Sequence, residues 1–185
     1  LINIHTGGYA NPNGPNDPDF NTIYGAAIGN ASGLAGYPAG SVNRALTTSG
    51  GSLFGTGLSP QGTSGSALSR GDWGTASAAI LGQPSYVNIG AQASYDMSTG
   101  ILTVNTETYY TSTTTNVNNL HVAVVENNVP GPQSGAQNYN PGAIISGPWN
   151  PTYNHQHMLR HLMDGALGIE YAVTTAGTFV PNTHT

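Results

Sequence analysis

Charge is nearly absent from this chain. Its 185 residues include three Lys or Arg, which are Arg44, Arg70 and Arg160, and eight Asp or Glu. Charged residues make up 6% of the sequence, where about 25% is usual in soluble domains. The hydrophobic share is 37%, so Asn, Thr, Ser and 26 glycines stand where charges would be. A skin of that kind repels its own copies weakly, and it buries at low desolvation cost compared with carboxylates or ammoniums.

Several function classes fall at once. The net charge is −5 and no basic cluster exists to neutralise a run of phosphates, which excludes nucleic-acid binding. No apolar run approaches the roughly 18 residues of a membrane-spanning helix. The chain has no cysteine, which removes thiol catalysis and thiolate metal sites. Its length suits one ordinary domain or two small ones, which bury roughly 70% of the unfolded surface without a staple. The beginning LINIHTGG and the ending FVPNTHT both read as cut, as in a piece of a longer protein.

Periodicity divides the sequence near Gly82–Pro84. Residues 1–5 are short, apolar and β-branched, which predicts a buried strand. Asp19 is expected to cap a helix reaching Ile28, with Phe20, Ile23, Tyr24 and Ala27 on one face. Gly36–Gly40 predicts a tight turn and Ser41–Leu46 a strand. Residues 47–69, rich in Gly and Ser, read as a long surface loop. Asp72 then caps a predicted helix over Trp73–Leu81, with Trp73, Ala76 and Ile80 facing a core.

From Ser85 the period becomes two. Val87, Ile89, Ala91, Ala93 and Tyr95 predict a half-buried strand, Asp96–Gly100 its hairpin turn, and Leu102, Val104, Thr106 and Thr108 one face of the return strand. A third strand is expected over Leu120–Glu126, giving an antiparallel sandwich. A helical turn is predicted at His155–Met163 and a weak strand at Ile169–Thr175. The expected fold class is therefore α+β, with an α/β-like part over 1–83 and a β-sandwich over 84–185.

Three collinear stretches, LINIHTGGYA at 1–10, GYPAGSVNR at 36–44 and YNHQHMLR at 153–160, resemble the Omp28-related outer-membrane proteins of Bacteroidetes, with VAVVENNVPGPQ at 122–133 between them. The matching positions are His5, Tyr37, Pro38, Gly40, Asn43, Arg44, His155, His157 and Arg160, and Gln156 stands where that family has Asn. The resemblance implies a thioredoxin-like domain joined to a β-sandwich, with Pro38 at the site of a cis-proline. The family's Cys-bearing segment would lie upstream of Leu1, and its closing sandwich strands beyond Thr185. Residues 1–83 would then be a partial thioredoxin-like domain.

Each candidate for chemistry has a structural alternative. On a helix, His157 and His161 share a face and could ligate Zn²⁺; on a strand, His155 and His157 do. Otherwise these histidines hydrogen-bond carbonyls and Arg160 pairs with Asp164 or a carbonyl. Asp17 and Asp19 could offer oxygens to Ca²⁺, although their spacing is not that of an EF-hand. Glu107 and Glu126 could be strand neighbours but read better as solvated strand ends. No Gly-x-Ser-x-Gly elbow occurs, so no catalytic residue and no cofactor is expected. Tyr109, Tyr110, Tyr139, Trp149 and Tyr153 could stack on sugars from loops, or pack within the fold.

The leading expectation is a non-enzymatic, secreted or cell-surface structural subunit whose partners are copies of itself or other surface proteins, outer-membrane associated as the resemblance implies. The alternatives are a sugar- or peptide-binding module of a surface protein, and a redox-inactive remnant of a thioredoxin-like oxidoreductase.

Overall fold

The computed structural model describes residues 1–48, 55–114, 117–171 and 176–185. It is a mixed α+β structure built mostly from antiparallel strands in several small sheets. The α-helices are α1 (Gly25–Ser32), α2 (Trp73–Leu81) and the short α3 (Ala136–Tyr139). In chain order the strands are β1 (Ala39–Gly40), β2 (Thr47–Thr48), β3 (Ser64–Gly65), β4 (Leu68–Ser69), β5 (Val87–Asp96), β6 (Ile101–Tyr110) and β7 (Asn118–Leu120). They continue with β8 (Ala123–Glu126), β9 (Val129–Pro132), β10 (Ile144–Ile145), β11 (Thr152–His155), β12 (Met158–Leu162), β13 (Ile169–Tyr171) and β14 (Phe179–His184). Two compact units result, one of Leu1–Ala26 with Asn119–Ile169, the other of Ala27–Asn118 with Glu170–Thr185. Gly82–Pro84, where the period changes, lies inside the second unit.

In the first unit, β10, β11 and β9 form one antiparallel sheet and β12 pairs with β8. Phe20, Val129 and Met158 make its core. Phe20 lies on the backbone of β9, where a Cβ on Gly131 would meet its ring at 2.3 Å, so only glycine fits. Residues 1–5 are not the expected buried strand: Leu1 is 93% exposed, and Asn3 and His5 make only isolated parallel bridges, to Met158 and Asn21. The helix expected from Asp19 begins at Gly25 instead. Asp19 Oδ1 accepts the Asn21 N–H at 2.9 Å, an Asx-type turn that leaves Asn21 extended beside His5.

The segment 155–163 is not helical. It is a strand end, a turn at Gln156–His157, and β12, with His157 at φ 53°. A β-bulge lies between Leu159 and His161, so the buried residues are Met158, Leu159 and Leu162. That spacing imitates one face of a helix, because the bulge breaks the two-residue alternation.

In the second unit, Leu68 and Ala76 form a core under Val42, Ala45, Leu58 and Trp73. Helix α2 has its expected bounds, and the Trp73 indole N–H donates to the Leu68 carbonyl at 3.1 Å. Asp72, however, makes no side-chain cap. Ser41–Leu46 is not a strand. Asn43 and Arg44 take φ of 51° and 49°, and the Ala45 N–H returns to the Val42 carbonyl at 3.1 Å, a turn of type I′ character. The described part of 47–69 is more than a surface loop, since it carries β2, β3 and β4 and buries Thr47, Ser66, Ala67 and Leu68. Residues 49–54 of that stretch lie outside the described residues, as do 172–175 of the expected strand at Ile169–Thr175.

The β5–β6 hairpin runs in the expected register, from Val87↔Tyr110 to Asp96↔Ile101. Asp96 Oδ1 accepts from the Ser98 N–H and hydroxyl, and Gly100 closes the turn at φ 72°. Val104, Thr106, Thr108 and Tyr110 are buried along one face of β6. Two expectations fail here. The third strand of the sheet is β14, not Leu120–Glu126, which is split between β7 and β8. Strand β5 alternates as expected but is exposed along nearly its whole length.

Helix α1 ends in a Schellman motif. Leu34 N–H reaches the Gly29 carbonyl and Gly33 N–H the Asn30 carbonyl, with Gly33 at φ 70°. A Cβ at Gly33 would stand 2.1 Å from the Ser64 carbonyl oxygen. Gly33→Ala is therefore expected to destabilise the protein by more than about 2 kcal/mol, read from the denaturant midpoint at unchanged slope.

Candidate functional site

The residues that bring most chemistry together lie in the first unit. Asn3 is the anchor: its N–H donates to the His157 carbonyl and its carbonyl accepts from the Leu159 N–H, both at 2.8 Å. Its side-chain amide donates to the Gln156 carbonyl at 2.6 Å. This clamp lays the first residues parallel to β12 and sets His5 against His155, their ring centroids 5.1 Å apart and nearly perpendicular. Phe20 lies 5.3 Å from His5 and 5.0 Å from His155, and Tyr153 lies 4.9 Å from His155. The Tyr153 hydroxyl accepts from the Asn140 side-chain amide at 2.8 Å.

Both histidines have lowered pKa values. His155 is 4% exposed, and burial lowers its pKa to about 4. Repulsion from His5 adds to that effect, while a hydrogen bond to the Pro132 carbonyl opposes it. The pKa of His5 is lowered by burial and then by the Arg160 charge. His5 Nδ1 and His155 Nε2 are buried without a hydrogen-bond partner, an arrangement uncommon for buried polar atoms.

The histidines expected to hold a metal are dispersed. His161 Nδ1 bonds the Tyr24 hydroxyl at 2.7 Å, with the rings edge to face. His157 sits in the turn, its backbone N–H donating to Asn127 Oδ1 at 2.8 Å. Among the described residues, no group of three or more His, Cys, Asp or Glu is placed to hold a metal ion. The Asp17–Asp19 loop is occupied with its own chain: Asp17 accepts from the Asn13 N–H and the Trp149 indole, and Asp19 from Asn21. Arg160, read from the sequence as a partner of Asp164 or of a carbonyl, pairs with Glu126 at 2.6 Å. Both partners are well exposed, so the pair contributes at most about 1 kcal/mol.

The remaining expected residues are spread over both units. Tyr37–Pro38 is a cis peptide bond, and Asn43 and Arg44 form the turn that follows. Tyr110 is buried and stacked on Tyr86, whose hydroxyl donates to Asn118 Oδ1 at 2.7 Å. Tyr109 emerges on the opposite face of β6 beside Phe179, 5.9 Å between centroids. On that face, Asn105, Glu107, Pro181 and Thr183 line a shallow polar depression. Glu107 lies opposite Gly90 and Pro181, and Glu126 opposite Met158, so the two carboxylates are not strand neighbours.

Phe20 and Tyr24, assigned from the sequence to a helix face, are the residues missed here, Phe20 as a member of the histidine cluster and Tyr24 as the partner of His161. The signal present was their aromatic i, i+4 spacing, which locates burial without saying against what. Compared with protein-family models, with curated proteins and with solved structures, the chain gives no match.

The histidine cluster has a defined pH signature. In the unfolded chain His155 titrates near 6.5, in the fold near 4. Above both values neither state binds the proton, so stability is flat. As pH falls from 6.5 towards 4 the unfolded state takes up the proton first, and stability is lost, by up to about 3 kcal/mol from His155 alone. Denaturant unfolding at neutral pH and at about pH 4.5 should show this loss, and His155→Phe should remove most of it.

Proposed function

We propose that this chain is a non-enzymatic, secreted or cell-surface structural subunit that associates with copies of itself in an extracellular or envelope assembly. The observation carrying this reading is β5, ten residues long and exposed along nearly its whole length at the edge of the β14–β6–β5 sheet. Ile89 and Tyr95 on it are 60% and 62% exposed, and Asp96 is its one charged residue. Natural edge strands are usually blunted by shortness, lysine or proline, and β5 has none of these. The near absence of charge elsewhere supports the same reading, since little repulsion opposes close packing of copies.

The family part of the proposal is kinship with the Omp28-related proteins, including their thioredoxin-like and sandwich parts and their place at the cell surface. Its support is the sequence resemblance, together with the meeting of two of its motifs, LINIH and HQHMLR, where His5 packs on His155. A second reading, a carbohydrate-binding module, draws on the exposed Tyr109–Phe179 pair sharing a face with Asn105, Glu107 and Thr183. Aromatic rings beside polar side chains suit the two faces of a sugar.

Sedimentation velocity over micromolar to near-millimolar concentrations tests the leading reading. The mass is expected to rise above 19.0 kDa with concentration and to respond little to added salt. A 19.0 kDa monomer throughout, with calorimetric binding of an oligosaccharide, would replace it with the second reading.

A further inference from the structure

We infer that β5 is the contact between copies, pairing antiparallel with β5 of a second chain about a two-fold axis at Ala91. The inference deepens the self-association reading and rests on it.

Backbone direction along the sheet follows from a few hydrogen bonds. Tyr110 exchanges bonds with Thr178 and Gly177 on the β14 side, whereas the Thr111 N–H donates to the Tyr86 carbonyl on the β5 side. Because these directions alternate along an antiparallel strand, Asn88, Gly90, Gln92, Ser94 and Asp96 turn their N–H and C=O toward β6. Val87, Ile89, Ala91, Ala93 and Tyr95 turn theirs outward. Ser85 bears this out, since its hydroxyl donates to the outward Val87 carbonyl at 2.6 Å. That bond occupies one end of the edge, and among the described residues no strand pairs with the stretch from Ile89 to Tyr95 on that side.

The outward residues also carry the apolar side chains. They lie opposite Leu102, Val104, Thr106, Thr108 and Tyr110, and so share the face that is largely buried on β6. One strand thus offers open backbone groups and an exposed apolar row on the same residues. A second copy related by a two-fold axis at Ala91 puts Ile89 opposite Ala93, and Val87 opposite Tyr95, on a common face. The two Asp96 carboxylates then stand at opposite ends, roughly 34 Å apart along the strands at about 3.4 Å per residue. Parallel pairing in register would set them side by side, where like charges oppose the contact.

The opposite edge does not compete. Pro181 on β14 lies opposite Glu107, whose backbone faces β5, so the missing N–H of Pro181 is on the outer edge. A head-to-tail contact of β5 with β14 of another copy meets that gap, and the isologous β5–β5 contact does not.

The test uses the absence of cysteine from the chain. Ala91→Cys places one thiol per copy, and a hydrogen-bonded antiparallel pair holds Cα atoms about 5.5 Å apart, within disulfide reach. Mild oxidation should convert Ala91→Cys to a covalent dimer and leave Thr183→Cys on the other edge monomeric. Ala91→Pro, which removes an outward N–H, should weaken association at least ten-fold with an unchanged circular dichroism spectrum. If Ala91→Pro fails to fold, the cysteine pair decides. A wild-type chain that associates while Ala91→Cys cross-links no better than Thr183→Cys overturns the β5 contact and leaves self-association standing. A monomeric wild type with no cross-linking overturns both.

Discussion

Buried hydroxyl groups hold this structure in register. Among its largest fully buried side chains are Thr108 and Thr152, beside Tyr110, Leu68 and Met158. Thr108 donates to the Val180 carbonyl and ties β6 to β14. Thr152 accepts the Trp149 N–H and donates to the Trp149 carbonyl, closing the turn before β11. Thr47 bonds the Gly65 carbonyl and Thr106 the ring of His184. A buried hydroxyl left unpaired costs about 1–3 kcal/mol, so each strand alignment that satisfies one is favoured over its slips. That is how a chain with so few charges specifies which strand pairs with which.

The same constraint explains which parts of the fold were legible in the sequence. Helix α2 and the β5–β6 hairpin were readable because their signals are local: a stripe through Trp73, Ala76 and Ile80, and strict alternation about Asp96–Gly100. Segment 155–163 misled because a bulge at Arg160 shifts burial to Met158, Leu159 and Leu162. The turn at Asn43–Arg44 was hidden because Val42 and Ala45, half-buried on either side of it, read as strand positions. Burial of β5 was overestimated because alternation reports which residues share a face, not whether anything covers that face.

The histidine cluster was the least legible feature. His5 and His155 carry no spacing signal, since the Asn3 clamp that unites them joins residues 153 positions apart. The i, i+4 reading of His157 and His161 presumed a helix that the bulge excludes. What results is a pair of imidazoles whose burial disfavours the protonated form. The open edge, in contrast, lies in the second unit, and β5 carries no histidine. The two edges of the β14–β6–β5 sheet also differ in kind. One carries Pro181, which has no N–H to offer, and the other presents the exposed residues of β5.

The division of the chain carries a consequence for how it folds. The first unit is interrupted by residues 27–118, and the sheet of the second is completed by β14, whose bonds to β6 span more than 70 positions. Neither unit can close on local contacts, and chains dominated by such distant pairings fold in milliseconds to seconds. Pairing with β14 is what occupies the second edge of β6. Without β14 the β6–β5 hairpin would have both of its edges unpaired, so the last strand of the second unit, Pro181 included, is what closes one side of that sheet.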